Sequence, residues 1–174
     1  AYEFSQEQTQ NLISELLEFV QRDYNHPSII FWVPFNESWG IRNVVSDRRQ
    51  QSLAKGAYWI LKSADPTRLV STNDGWEQVS ESDICAVHDY AAFPGNIQEK
   101  YANLENILKA DAQGRMLYAE GSAYAGQPVL ITEYGGIHFK ENDGWGYYDS
   151  VETEEAFFER FGVVARHFRR HTGI

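Results

Sequence analysis

Four short apolar runs, residues 29–33 (IIFWV), 69–72 (LVST), 84–87 (ICAV) and 129–132 (VLIT), alternate with stretches of helical periodicity. This alternation restricts the chain to a parallel α/β architecture, because consecutive parallel strands need a long crossover and a helix is the usual one. The first helical stretch opens with Ser5 and Gln8 at capping-box spacing and carries Leu12, Ile13, Leu16, Leu17 and Val20 as one apolar stripe, which Asn25-His26-Pro27 breaks. Ser46 is the expected cap of a second helix, with Leu53, Ala54, Ala57, Ile60, Leu61 and Ala64 turned inward and Asp65-Pro66 as its stop. Only residues 73–83 separate the second run from the third, so one helical turn is expected near residues 76–79. Tyr101, Leu104, Ile107 and Leu108 mark a further helix, with residues 118–125 as an irregular extension. A last helix is expected from about Ser150, with Glu152, Glu154 and Glu155 at its start and Arg166, Arg169 and Arg170 at its end, the order that complements a helix dipole. The run at 29–33 is apolar throughout, which suits a strand buried on both faces of a sheet. Four strands cannot close a barrel, which takes about eight strands and roughly 250 residues, so the chain reads as half of one.

The net charge of −10 disfavours a nucleic-acid partner, because phosphate binding needs clustered Lys and Arg. Nothing resembles a signal peptide or a membrane span of about 20 apolar residues, so no membrane partner is expected and a cytoplasmic location is the reading. Cys85 is the sole cysteine, which excludes an internal disulfide. Metal-dependent hydrolysis finds no support in a His-x-His or cysteine cluster, and His26, His88 and His138 lack ligand-like spacing. No metal and no cofactor are expected.

The chemistry concentrates where two apolar runs end. Asn36-Glu37 follows the first and Glu133 follows the fourth. An ionised glutamate directly after an apolar strand is costly unless something uses it. In a parallel barrel all strand C-termini open on one face, where polar residues read as catalytic. Two glutamates so placed describe the two-carboxylate machinery of a glycosidase. Trp39 and Trp145 lie in Gly-containing stretches beside them, where an indole can stack on the apolar face of a pyranose.

Residues 25–32 (NHPSIIFW), followed by Asn36-Glu37-Ser38-Trp39-Gly40, resemble the acid/base signature of glycoside hydrolase family 2, which includes β-galactosidases, β-glucuronidases and β-mannosidases. Ile131-Thr132-Glu133-Tyr134-Gly135-Gly136 resembles that family's nucleophile strand, and His88-Asp89-Tyr90 after the third run fits as well. The resemblance covers nearly the whole chain. It implies a (β/α)8 TIM barrel, present here as a partial barrel of about strands four to seven with flanking helices, all 174 residues being one segment of a catalytic domain. Strands one to three, strand eight and the family's N-terminal sandwich domains are expected to lie outside it.

By the same resemblance Glu37 is the general acid/base, Glu133 the nucleophile, and Asn36 a hydrogen-bond partner of the sugar 2-hydroxyl. Tyr90 orients the nucleophile, while His88, Trp39 and Trp145 are further substrate-binding candidates. The implied reaction is retaining hydrolysis of a β-glycoside, with the two carboxyls about 5–5.5 Å apart. The galactosidase branch carries a histidine where this chain has Gly136, and the Thr-Glu-Tyr-Gly form resembles the glucuronidase-like branch. The isolated segment is expected to cleave sugar poorly and to self-associate through open strand edges. A non-catalytic carbohydrate-binding or scaffold module on a degenerate barrel is the alternative, in which one glutamate is neutralised by an ion pair or buried away from the strand-end face.

Overall fold

A computed structural model of the chain describes residues 3–90, 94–109, 114–140 and 150–170. In chain order its elements are α1 (Gln6–Asp23), β1 (Phe31–Trp32), β2 (Phe35–Asn36), α2 (Arg48–Ala64), β3 (Leu69–Val70), β4 (Asn73–Asp74), β5 (Cys85–Asp89), α3 (Pro94–Lys100), α4 (Leu104–Lys109), β6 (Val129–Tyr134), β7 (His138–Phe139), β8 (Ser150–Val151) and α5 (Glu154–Arg170). The chain forms two compact units, one of Ala1–Val87 with Asp111–Thr132 and one of His88–Ala110 with Glu133–Ile174. Among the described residues no helix is long and apolar enough to cross a membrane.

In the first unit β1 pairs with β3 (Phe31 with Leu69, Trp32 with Val70) and β2 pairs with β4 (Phe35 with Asn73, Asn36 with Asp74), all in parallel. The sequence separation is the same at every pairing, so these are two segments of one strand pair interrupted at Val33-Pro34, where proline supplies no N–H. The amide of Ser71 still donates to the carbonyl of Trp32 at 2.9 Å across the interruption. α1 and α2 cover this pair. Phe35, Ile41, Val44, Leu53, Ala54, Ala57 and Val79 form one buried cluster with Phe4, Leu12 and Leu16 of the α1 side against it. Trp32, Leu61, Val70 and Val20 form another. The apolar stripes of α1 and α2 therefore bury against the strands as their periodicity requires.

Several expectations need correction. The first run is not buried on both faces: Ile30 is 70% exposed and Val33 41%. The second helix is capped by Asp47, whose side chain accepts the Arg49 amide, and not by Ser46. No helical turn forms at 76–79. Glu77 and Gln78 instead donate their amides to the carbonyls of Met116 and Leu117 at 2.8 and 2.9 Å, and Gln78 bridges Tyr118 in parallel. That extended pairing also removes residues 118–125 from any helix. Gln78 further clamps the backbone of Ala86 with both ends of its amide.

The second unit holds α3, α4, β7, β8 and α5, with β7 and β8 paired in parallel (His138 with Ser150, Phe139 with Val151). The last helix starts at Glu154, not near Ser150, because Ser150 is in β8 and the Thr153 hydroxyl accepts the Ala156 amide at 3.2 Å. Ile97, Tyr101, Ile107 and Val164 are buried, and the Phe168 ring meets those of Tyr101 and Tyr134 edge-on at 5.5 and 5.2 Å. β5 and β6 form a two-stranded sheet.

Candidate active site

Glu37 follows β2 directly, and its amide donates to the carbonyl of Asp74 at the end of β4, at 2.9 Å. Strand pairing therefore continues one residue past β2 and then stops, because Glu37 and Ser38 both turn to the left-handed region, with φ of 52° and 60°. Two consecutive non-glycine residues there cost roughly 1–2 kcal/mol each, so neighbouring groups must hold them. Asn73 supplies an acceptor for the Ser38 amide at 3.0 Å, and the Ser38 hydroxyl donates to the Glu77 carboxylate at 2.5 Å. Glu77 is itself left-handed, at φ 50°, buried, and met by Arg115 at 3.0 Å.

The turn after Ser38 leaves Asn36 exposed and Trp39 46% exposed, with the Arg42 guanidinium 4.9 Å from the centre of the Trp39 ring. Trp39 and Phe35 line an open groove of about 660 Å³, opposite Glu3, Glu7, Gln8 and Glu15 of the α1 side. Gly40 follows at φ +89°, where a Cβ would come within 2.8 Å of the Gln8 amide nitrogen. Position 40 therefore combines a left-handed backbone with a close approach, and both favour glycine.

In the second unit Glu133 is the fifth residue of the six in β6, within the strand and not after it. The Tyr90 hydroxyl donates to its Oε2, and His88 Nε2 lies 3.4 Å from Oε1. This convergence follows from the pleat of β5. His88 and Tyr90 are two residues apart and share a face, while Asp89 between them points the other way. There Asp89 accepts from Lys100 at 3.0 Å and from the Tyr101 hydroxyl at 2.9 Å. Burial, and then the Asp89 carboxylate, push the Tyr101 phenol well above its usual range. His88 has no exposed side-chain surface, whereas the Glu133 side chain is 42% exposed. The Glu133 carboxylate is thus held by a phenol and an imidazole while part of its side chain stays open to solvent.

Six of the candidates lie within the described residues. Asn36, Glu37 and Trp39 belong to the first unit, while His88, Tyr90 and Glu133 belong to the second and converge on Glu133. Trp145 lies outside the described residues. Sequence reasoning missed Asn73, Glu77 and Arg115. The run Asn73-Asp74-Gly75-Trp76-Glu77 directly after an apolar strand is a polar strand end of the same kind as Asn36-Glu37, and it was the available signal.

Parallel strand pairs, with helices between consecutive strands and polar residues at or near the strand ends, are features shared with TIM-barrel domains. The family described as "Glycosyl hydrolases family 2, TIM barrel domain" matches residues 3–170, and the chain belongs to that family. A β-galactosidase of Kluyveromyces lactis is 30% identical over 125 residues, which cover 71% of this chain and 11% of the relative. The chain thus spans about a tenth of the length of that curated relative.

Proposed function

We propose that this chain supplies about strands four to seven of a family 2 catalytic barrel, and that the enzyme containing it hydrolyses terminal β-glycosidic bonds with retention of configuration. Glu133 attacks the anomeric carbon while Glu37 gives its proton to the leaving oxygen. The covalent glycosyl-enzyme is then released by water, with Glu37 acting as base. Asn36 takes the sugar 2-hydroxyl and Trp39 the apolar face of a sugar ring, while the buried His88 acts behind Glu133, 3.4 Å from its Oε1. The observation that carries this reading is the Tyr90 and His88 pair on Glu133, which orients one carboxylate oxygen pair without closing it off. The partial-barrel reading is supported by the exposed apolar residues Ile30, Val33 and Leu69 along the strand pair, which further strands or helices would cover.

The test is a mechanism-based label. A 2-deoxy-2-fluoro-β-glycoside carrying a good leaving group should accumulate as an ester on Glu133 of the complete enzyme, read by mass spectrometry of the peptide. Glu37→Gln should lower turnover of an unactivated β-glycoside by a factor of about 10²–10⁴. Full activity in Glu133→Gln, or a label on another residue, would remove the assignment. Chromogenic β-galactoside, β-glucuronide and β-mannoside substrates decide the sugar. The isolated chain should show little or no turnover, because catalysis needs a closed and preorganised site.

A further inference from the structure

The polar network behind Glu37 is more elaborate than a strand end requires. Ser38 is held at both polar atoms, by Asn73 Oδ1 on its amide at 3.0 Å and by Glu77 Oε2 on its hydroxyl at 2.5 Å. The Asn73 side-chain nitrogen faces Ser38 Oγ at 3.0 Å and the carbonyls of Trp76 and Glu77 at 2.9 and 3.3 Å. One amide side chain therefore ties together the two left-handed stretches, at Glu37-Ser38 and at Glu77. The second oxygen of Glu77 accepts from Arg115 Nη1 at 3.0 Å, and the Arg115 guanidinium lies 5.5 Å from the centre of the Trp76 ring. Ser38, Asn73 and Glu77 are all buried. A buried network with its members satisfied rigidifies what it holds, and what it holds is the backbone of Glu37-Ser38 in a conformation that non-glycine residues leave when released.

We propose that Ser38, Asn73, Glu77 and Arg115 are positioning residues for proton transfer, fixing the Glu37 backbone and through it the carboxyl that protonates the leaving oxygen. The inference rests on Glu37 being the acid/base. The physical demand is strict, because displacement of a reacting group by about 1 Å can cost on the order of 100-fold. The hydrogen bonds of the network converge on the Glu37-Ser38 turn, so it acts on the steps that use Glu37 and spares attack by Glu133 on an activated substrate.

Leaving-group dependence reads this directly. A phenyl glycoside needs its leaving oxygen protonated, whereas a 2,4-dinitrophenyl glycoside departs without help. In the complete enzyme, on the sugar cleaved fastest in the chromogenic screen, Ser38→Ala should lower the ratio of phenyl to dinitrophenyl kcat/KM by about 10- to 100-fold. With the dinitrophenyl substrate kcat should fall together with KM, because general-base release of the glycosyl-enzyme slows, and sodium azide should restore kcat as a nucleophile that needs no base. Arg115→Met, at a half-exposed position, is the milder second variant and should move the same ratio in the same direction. Glu37→Ala is the control and should show the largest effect. Equal losses on both substrates in Ser38→Ala and Arg115→Met, or no loss at all, would overturn the positioning role while Glu37→Ala keeps its leaving-group dependence. A flat leaving-group profile in Glu37→Ala would remove the acid/base assignment itself and the inference with it.

Discussion

Asp65 follows α2 with no exposed side-chain surface, and it accepts hydrogen bonds from the Trp32 indole at 3.0 Å, the Thr67 hydroxyl and Arg68 Nη1, both at 2.6 Å. Burial alone would raise its carboxyl, but the donors from Thr67, Arg68 and Trp32 outweigh that and hold it well below the usual carboxylate range. A depressed folded-state value stabilises the fold fully above the unfolded value of about 3.9 and ceases to do so as pH falls through the folded value. Asp65→Asn should therefore cost about 3–5 kcal/mol at pH 7. Urea unfolding should show that difference constant from pH 8 to 5 and shrinking below about pH 4. A difference that grows on acidification would refute the assignment. Tyr90→Phe belongs to the same scale. It removes the hydroxyl that donates to Glu133 and should lower kcat/KM of the complete enzyme by about 100-fold with little change in unfolding midpoint. Asp65 was legible only as a helix stop, because three of its partners reach it through tertiary contact or a turn. Asn73 and Ser38 are 35 residues apart, and no local pattern joins them. Glu37 could be placed at a strand end because the apolar run that delivers it is contiguous.

Helix starts separate what local chemistry determines from what packing decides. Ser5 caps α1 as its spacing with Gln8 predicts, accepting the Gln8 amide at 3.1 Å. Ser5→Ala should cost about 1 kcal/mol, read as a lower unfolding midpoint that Ser5→Asp largely restores. The same reasoning misplaced the start of α2, where Asp47 stood one position from the expected Ser46, while α5, expected from about Ser150, starts at Glu154 behind Thr153. The larger miss was the stretch after β4. Its eleven-residue spacing suggested a helical turn, yet Glu77 and Gln78 found extended partners at Met116 and Leu117, some forty residues downstream. Tertiary pairing overrides local propensity where the partner is remote. The four expected runs do carry strands, but the brevity of β1 to β4 was not read and β7 and β8 were not foreseen. Pro34 was in plain view, and its consequence for the strand was not drawn.

For the chain as a whole, alternation of strand and helix identified a parallel α/β fold, and paired motifs identified the family. The exposed apolar residues could not be read in advance, because exposure depends on what lies alongside. Ile30, Val33 and Leu69 near the strand pair, together with Phe158 and Phe161 on α5, predict association of the isolated chain despite its net charge of −10. Sedimentation at micromolar concentration should show species heavier than the 20.0 kDa chain, and a monodisperse monomer there would contradict this. Pro34 also marks a change of phase in the strand pair. Before it the Trp32 carbonyl accepts the Ser71 amide, and after it the Glu37 amide donates to Asp74, so even-numbered residues face the partner ahead of the proline and odd-numbered ones beyond it. A single-codon insertion between Trp32 and Phe35 would take the two segments out of their common register and should lower the unfolding midpoint.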